Sequence, residues 1–147
     1  MLFRSVAVVV QRGTEYLLMQ RLPGERWAGL WDFLRFDERD AADEGLPGYL
    51  RRRFGVETAG HAQFLQLTHG VTRYRIALRG VHCEWRHGTP QEEERPFQWV
   101  SLAGLAETPL PVTGRKLADA LAKTLAGPLQ LRGDSRGKKS RKATRGR

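Results

Sequence analysis

Cysteine and long apolar runs are nearly missing from this sequence, and both absences exclude classes of protein. Cys83 is the only cysteine among 147 residues, so an intrachain disulfide or a metal site built from cysteines is impossible. No stretch approaches the roughly 18 consecutive apolar residues of a membrane span. The apolar run at residues 6–10 is too short for a signal peptide. We therefore expect a cytoplasmic protein without membrane association, in which Cys83 is a buried strand residue.

Basic residues are abundant, but they are concentrated at one end of the chain. The net charge is +9, of which residues 132–147 contribute +7 and residues 1–131 contribute +2. Residues 1–131 are long and apolar enough for one domain. The last sixteen residues lack a large apolar side chain, so we expect a disordered tail. The tail is either an arm that contacts phosphates or a solubilising extension. Its candidate nucleic-acid ligands are Lys138, Lys139, Arg141 and Lys142.

The spacing of apolar residues predicts two helices among several strands. A four-residue spacing marks one face of a helix at residues 44–54, which Gly55 would end, and again from residue 114 or 115 to residue 125. Strands are predicted at residues 2–11, 16–21, 30–36, 61–67, 71–78, 81–85 and 97–100. Residues 30–36 alternate apolar and polar side chains, as a half-buried strand does. We expect Gly70 and Gly80 to interrupt the later strands. The order of elements is typical of an α+β sandwich around a mixed sheet.

Several short segments, in this order, resemble one family. YLLMQRLP (residues 16–23) precedes WAGLWDF (residues 27–33), as an "LL-x-QR" strand precedes "GLW-x-F" in that family. Further matches are HGVTRYRIAL (residues 69–78), WVSL (residues 99–102) and the closing segments PLPV and RKL (residues 109–112 and 115–117). The chain from about residue 3 to residue 126 resembles the Nudix domain at the C-terminus of MutY-type adenine DNA glycosylases.

This resemblance implies a fold and a role. The fold would be α+β, with a mixed β-sheet sandwiched between α-helices. The catalytic domain of such glycosylases, with its iron–sulfur cluster, matches no part of this sequence, and one cysteine could not ligate such a cluster. The resemblance therefore implies a stand-alone recognition module rather than base excision.

The Nudix motif itself is largely erased. It reads G-x5-E-x7-R-E-U-x-E-E-x-G-U, and its carboxylates hold Mg²⁺ against a diphosphate and activate water. With its end aligned on Gly55, Arg52 and Arg53 fall at the two metal-binding glutamates. No shift of register brings a carboxylate into residues 49–56. Because arginine repels a divalent cation, we expect no metal and no catalytic residue on this helix.

Two alternatives remain open around this helix. Arg52 and Arg53 either contact a phosphate or form a charged outer face. Hydrolysis would require a magnesium site assembled from acidic loop positions, although an acidic loop is usually just solvated. The candidate carboxylates for such a site are Glu38, Asp40, Asp43, Glu44 and Glu57.

Further binding candidates follow from the resemblance. Trp27 lies where Nudix domains often build a ligand pocket, so it either stacks on a nucleobase or packs in the core. In the glycosylases, the segment that matches residues 71–73 helps to detect 8-oxoguanine opposite adenine. Thr72 keeps the family's hydroxyl, and Arg73 replaces its usual histidine. Arg73 either grips guanine or a phosphate or lies on the wet face of a strand. His69 is either a ligand-binding or a structural histidine.

These observations lead to one favoured hypothesis and two competitors. The favoured one is a non-catalytic module that binds a nucleic acid or a nucleotide and needs no cofactor. The first competitor is a divergent Nudix hydrolase that uses Mg²⁺ to cleave nucleoside diphosphate derivatives, such as oxidised nucleotides. The second is a protein-interaction scaffold whose tail is incidental. Protein partners are not predictable from the sequence.

Overall fold

The structure of this protein is a computed structural model that describes residues 2–71 and 74–126. Those ranges contain seven β-strands, three α-helices and one short 3-10 helix. The elements in chain order are β1 (Leu2–Arg12), β2 (Glu15–Gln20), β3 (Trp31–Asp32), β4 (Leu34–Asp37), the 3-10 helix (Glu38–Ala41), α1 (Gly45–Phe54), β5 (Glu57–Val71), β6 (Tyr74–His87), β7 (Phe97–Ser101), α2 (Leu102–Leu105) and α3 (Val112–Ala126).

Strand β1 lies at the centre of one mixed sheet. It pairs in parallel with β6, from Leu2 opposite Arg75 to Gln11 opposite Glu84, and antiparallel with β2 and β4. The strand order is β3-β2-β1-β6-β5, and β7 pairs with β2. Residues 6–10 of β1 are all buried, and such a run of mainly β-branched residues suits a strand that is covered on both faces.

Alternate side chains of β1 enter two separate cores, one on each face of the sheet. On one face, Val6 packs with Leu50 and Phe54 of α1. On the other face, Val9 packs with Leu117 of α3. Each such fully buried side chain contributes roughly 1.5–3 kcal/mol to stability. The sheet is thus sandwiched between helices, which confirms the predicted architecture.

Both predicted helices are present. Helix α1 ends where Gly55 adopts a left-handed φ of 76°, and the Gly55 N–H donates to the carbonyl of Arg51, as expected of a glycine cap. Helix α3 starts two residues before the predicted boundary. The prediction that Cys83 is buried is also confirmed, since it is 0% exposed, and this burial raises the pKa of its thiol to about 12.

The predicted strand breaks at Gly70 and Gly80 were wrong. Gly70 lies inside β5 and Gly80 lies inside β6, which runs without interruption. A side chain at position 80 would meet Leu117 of α3, because a Cβ there would lie 2.7 Å from Leu117 Cδ2. Gly80 therefore allows α3 to approach the sheet closely rather than ending a strand.

Two other strands also differ from the prediction. The strand expected at residues 30–36 is divided, because β3 pairs with β2 whereas β4 pairs with β1. β5 begins at Glu57 and contains register shifts at 57/58, 59/62 and 63/65. Such bulges hide a strand from a search for regular alternation.

The membrane and domain predictions meet the structure only in part. No helix in the described ranges is long and apolar enough to cross a membrane. The predicted domain end at residue 131 and the predicted tail at residues 132–147 lie outside the described residues, so both stay predictions.

Candidate functional site

Helix α1 presents arginines where the Nudix motif has its metal ligands, and these arginines contact carboxylates. Arg51 donates to Glu57. The Nε of Arg52 donates to both carboxylate oxygens of Glu44, at 2.8 and 3.0 Å. These hydrogen bonds lower the pKa of both glutamates below their usual value. Two of the candidate metal-binding carboxylates are thereby held ionised by arginines.

Arg53 belongs to a larger network that links α1 to the loops at residues 21–30 and 88–96. Its Nε donates to Glu92 at 2.8 Å, and Glu92 also accepts from Arg95 Nε at 2.6 Å. The Arg95 side chain is 4% exposed and donates to both carboxylate oxygens of Glu25, at 2.9 and 2.8 Å. The hydrogen bond from Arg95 lowers the pKa of Glu25 to about 2. Paired charges therefore hold both loops against the helix.

The remaining loop carboxylates do not converge on a common point. Glu38 accepts a hydrogen bond from Arg79 Nε at 2.9 Å, and Asp40 lies exposed in the 3-10 helix. The described ranges bring together no group of three His, Cys, Asp or Glu side chains that could hold a metal ion. The Mg²⁺ that a Nudix motif implies does not fit the side chains of this helix, because Arg52 and Arg53 stand at its ligand positions.

Trp27 lies in the loop between β2 and β3, beside three arginines. Its ring centroid is 5.3 Å from the guanidinium of Arg26, 5.5 Å from that of Arg35 and 5.8 Å from that of Arg21. Trp27 is only partly buried and has a φ of 60°. This backbone conformation is unusual for a bulky residue, and such conformations cluster at functional sites. Among the described residues, neither Arg21 nor Arg26 forms a salt bridge.

Below Trp27, Arg35 reaches a buried polar group that the sequence analysis missed. Arg35 Nε lies 3.3 Å from Asp32 Oδ2, and Asp32 is 0% exposed. This burial raises the pKa of Asp32, while Arg35 opposes the rise. A Cβ on Gly114 would lie 3.1 Å from Asp32 Oδ1, so the first turn of α3 lies against this carboxylate.

Three buried polar atoms of this region make no hydrogen bond in the described part of the chain: Asp32 Oδ2 and Arg35 Nε, which contact each other only as an ion pair, and Thr113 Oγ1. Unsatisfied buried polar atoms are uncommon in folded proteins and require an explanation. Alternation along residues 30–36 had indicated one wet face, but Asp32 and Arg35 are both buried. That pattern therefore concealed the group, and the only sequence signal for it was two charged residues within an otherwise apolar segment.

The other predicted site residues are not brought into this group. His69 lies in β5 opposite Ile76. Thr72 and Arg73 lie outside the described residues, and so do Lys138, Lys139, Arg141 and Lys142; their roles stay predictions. The other three tryptophans, Trp31, Trp85 and Trp99, pack against the two cores.

A mixed sheet between two helices, with loops at residues 21–30 and 88–96 held against the motif helix by paired charges, is typical of a Nudix-type domain. Residues 5–120 match the NUDIX domain family. The chain therefore belongs to the Nudix family, with the catalytic motif degenerate. No curated protein matches this sequence.

Solved structures share the fold. The E. coli ORF135 protein is 26% identical, with 87% of this chain and 94% of that chain covered at a TM-score of 0.70. The Nudix domain of Shewanella oneidensis NrtR, complexed with ADP ribose, is 17% identical (85% and 89% covered, TM-score 0.70). The C-terminal domain of mouse MUTYH, in a complex with human PCNA, is 16% identical (84% and 89% covered, TM-score 0.63). Other structural neighbours bear the name MutT.

Proposed function

We propose that this chain is a non-hydrolytic Nudix-fold module that binds a nucleotide, free or within a nucleic acid, beside Trp27. The observation that carries this proposal is the pairing of the arginines on α1 with carboxylates. In this proposal helix α1 has a structural role, and the loop at residues 21–30, which carries Trp27, forms the binding site.

The charges of α1 argue against metal-dependent hydrolysis. A Nudix hydrolase needs carboxylates on one helix face to hold Mg²⁺. Here Arg52 and Arg53 take those positions and engage Glu44 and Glu92. A divalent cation would meet two fixed positive charges and would have to compete for carboxylates that already have partners. The hydrolase alternative therefore has no support from this helix.

The loop at residues 21–30 has side chains that suit a nucleotide ligand. An aromatic ring stacks on any nucleobase, and Trp27 offers such a ring. Arg21 and Arg26 supply guanidinium groups for phosphate oxygens. The NrtR Nudix domain complexed with ADP ribose is a precedent for a nucleotide in this fold.

Contacts outside the described residues would extend this binding. We propose that Thr72 and Arg73 and the basic residues of the tail touch nucleic acid, as the resemblance to MutY-type domains implies. Recognition of 8-oxoguanine would depend on Thr72 and Arg73. The complex of the MUTYH domain with PCNA concerns that protein, and a protein partner of this chain is not part of the proposal.

Hydrolysis is tested directly with deoxyguanosine triphosphate and ADP ribose in the presence of Mg²⁺. We expect no release of phosphate or nucleoside monophosphate above a blank without protein. Release that stops on chelation of the metal would contradict the proposal and establish the hydrolase alternative.

Binding is tested by calorimetry with GDP and ADP ribose in the absence of Mg²⁺. We expect Trp27→Ala to weaken binding about tenfold or more, because stacking contributes roughly 1–3 kcal/mol per base, and Trp27→Phe to retain most of the affinity. Lys123→Ala, an exposed substitution on α3, serves as the control. Equal affinities of wild type and Trp27→Ala would rule out this binding site.

A further inference from the structure

The sheet extends past α1 at one end and leaves polar side chains uncovered. Strand register places Arg75 beside Leu2 and Ala77 beside Arg4, and paired residues point to the same face of a sheet. On the edge strand, Thr68 is opposite Ala77. These residues, with Gln66, line a shallow depression of about 460 Å³. We call this surface the open sheet face and define it as Leu2, Arg4, Gln66, Thr68, Arg75 and Ala77.

The arginines of the open sheet face differ from those of α1, because no carboxylate holds them. Arg4 and Arg75 are exposed, and neither side chain forms a hydrogen bond or ion pair with the described residues. Asp37 and Glu38 line depressions together with Arg4, but Asp37 is paired with Arg39 and Glu38 with Arg79, each at 2.9 Å. Within residues 2–71 and 74–126, both guanidinium groups therefore keep their hydrogen-bond donors available for a ligand.

This surface has the composition of a phosphate-contacting site. Arginine, glutamine and threonine side chains donate hydrogen bonds to phosphate oxygens in protein–nucleic-acid complexes. An interface with an acidic protein would centre on apolar and aromatic side chains, whereas Leu2 is the single large apolar residue that lines the depression among the described residues. The lining also lacks an aromatic ring within that part of the chain, and single-strand platforms depend on such rings.

We propose that the open sheet face binds the phosphodiester backbone of a duplex nucleic acid through Arg4 and Arg75. Residues 132–147 carry a net +7, and this positive charge would attract the same polyanion as Arg4 and Arg75. The proposal goes beyond nucleotide binding at Trp27, because the two sites share no residue and the backbone contact is independent of base identity.

The test measures fluorescence anisotropy of a mixed-sequence DNA duplex with the full chain at several salt concentrations. Arg4→Glu/Arg75→Glu should weaken duplex binding at least tenfold. Arg4→Gln/Arg75→Gln should reduce the slope of log affinity against log salt by about 2, since each lost phosphate contact removes about 0.9. Lys116→Glu/Lys123→Glu is the matched control, because it changes the net charge equally on α3, across the sheet. We expect this control to lose much less affinity, and circular dichroism checks that each variant is folded.

Three results would overturn the proposal. The first is equal loss in the control, which would mean that only overall charge matters. The second is an Arg4→Gln/Arg75→Gln variant whose duplex affinity and salt slope both equal those of the wild-type chain. The third is stronger competition by a single strand or by poly-glutamate than by the duplex at equal charge. Loss of nucleotide affinity in Trp27→Ala with an unchanged duplex result would leave both proposals standing separately.

Discussion

Helix α1 and the open sheet face both display arginines, but among the described residues only those of α1 have carboxylate partners. Arg52 and Arg53 contact Glu44 and Glu92, whereas Arg4 forms no ion pair with the described residues. A count of basic residues would treat the two regions alike. The potential that a ligand meets depends on which charges are already neutralised by neighbours. The paired arginines should therefore affect folding, and the unpaired ones should affect binding.

The strongest way to break this comparison is Arg95→Ala. Arg95 is nearly buried and joins Glu25 to Glu92, so its removal leaves Glu25 without its main partner and Glu92 with Arg53 alone. We expect a loss of roughly 3 kcal/mol in the free energy of unfolding, measured by urea denaturation. Arg75→Ala is the control and should leave stability unchanged. A loss below about 1 kcal/mol would show that the network contributes little to stability.

Acid should weaken the same network with a smaller effect. The pKa of Glu25 is lowered to about 2 from its usual 4.5, so its contribution is complete above pH ~4.5 and is lost as pH falls toward 2. When the pH falls from about 6 to about 3, we expect the free energy of unfolding of the wild type to fall by on the order of 1–2 kcal/mol more than that of Glu25→Gln. Parallel pH profiles of the two proteins would refute this assignment. Urea titrations at both pH values provide the measurement.

The smallest expected effect sharpens the comparison at the surface. Arg52→Ala removes an exposed pair whose arginine side chain is 62% exposed, so we expect almost no change in the free energy of unfolding, measured by urea denaturation. Its affinity for duplex DNA should stay near that of wild type, because Glu44 already neutralises Arg52. A larger loss of DNA affinity in Arg52→Ala than in Arg75→Ala would reverse the roles assigned to the two regions.

The sequence predicted the fold better than the site, for physical reasons. The helices follow from four-residue spacing, and Gly55 follows from the left-handed backbone at the end of α1. Local patterns could not reveal that Gly80 serves helix packing, because the constraint comes from Leu117. The resemblance located the degenerate motif correctly. The partners of its arginines were not predictable, since Arg53 and Glu92 are 39 residues apart.

The buried group at Asp32 was missed for a related reason. A period-two pattern states which residues share a face, but not whether another element covers that face. Here the first turn of α3 lies against Asp32, and the Trp27 ring lies near Arg35. Helix α3 comes from the far end of the described chain, so a local pattern could not show that it covers this face. Two oppositely charged residues inside an apolar segment can therefore form a buried pair instead of facing solvent.

The register shifts of β5 affect the tendency of this chain to self-associate through its sheet edge. β5 is the outermost strand on its side of the described sheet, and the unpaired backbone groups of an outer strand are a template for another chain. Bulges between residues 57 and 65 disturb the spacing of these groups and twist the strand. A strand of another chain could pair regularly with β5 only over residues 66–71. The irregular half of β5 therefore disfavours fibre-like assembly.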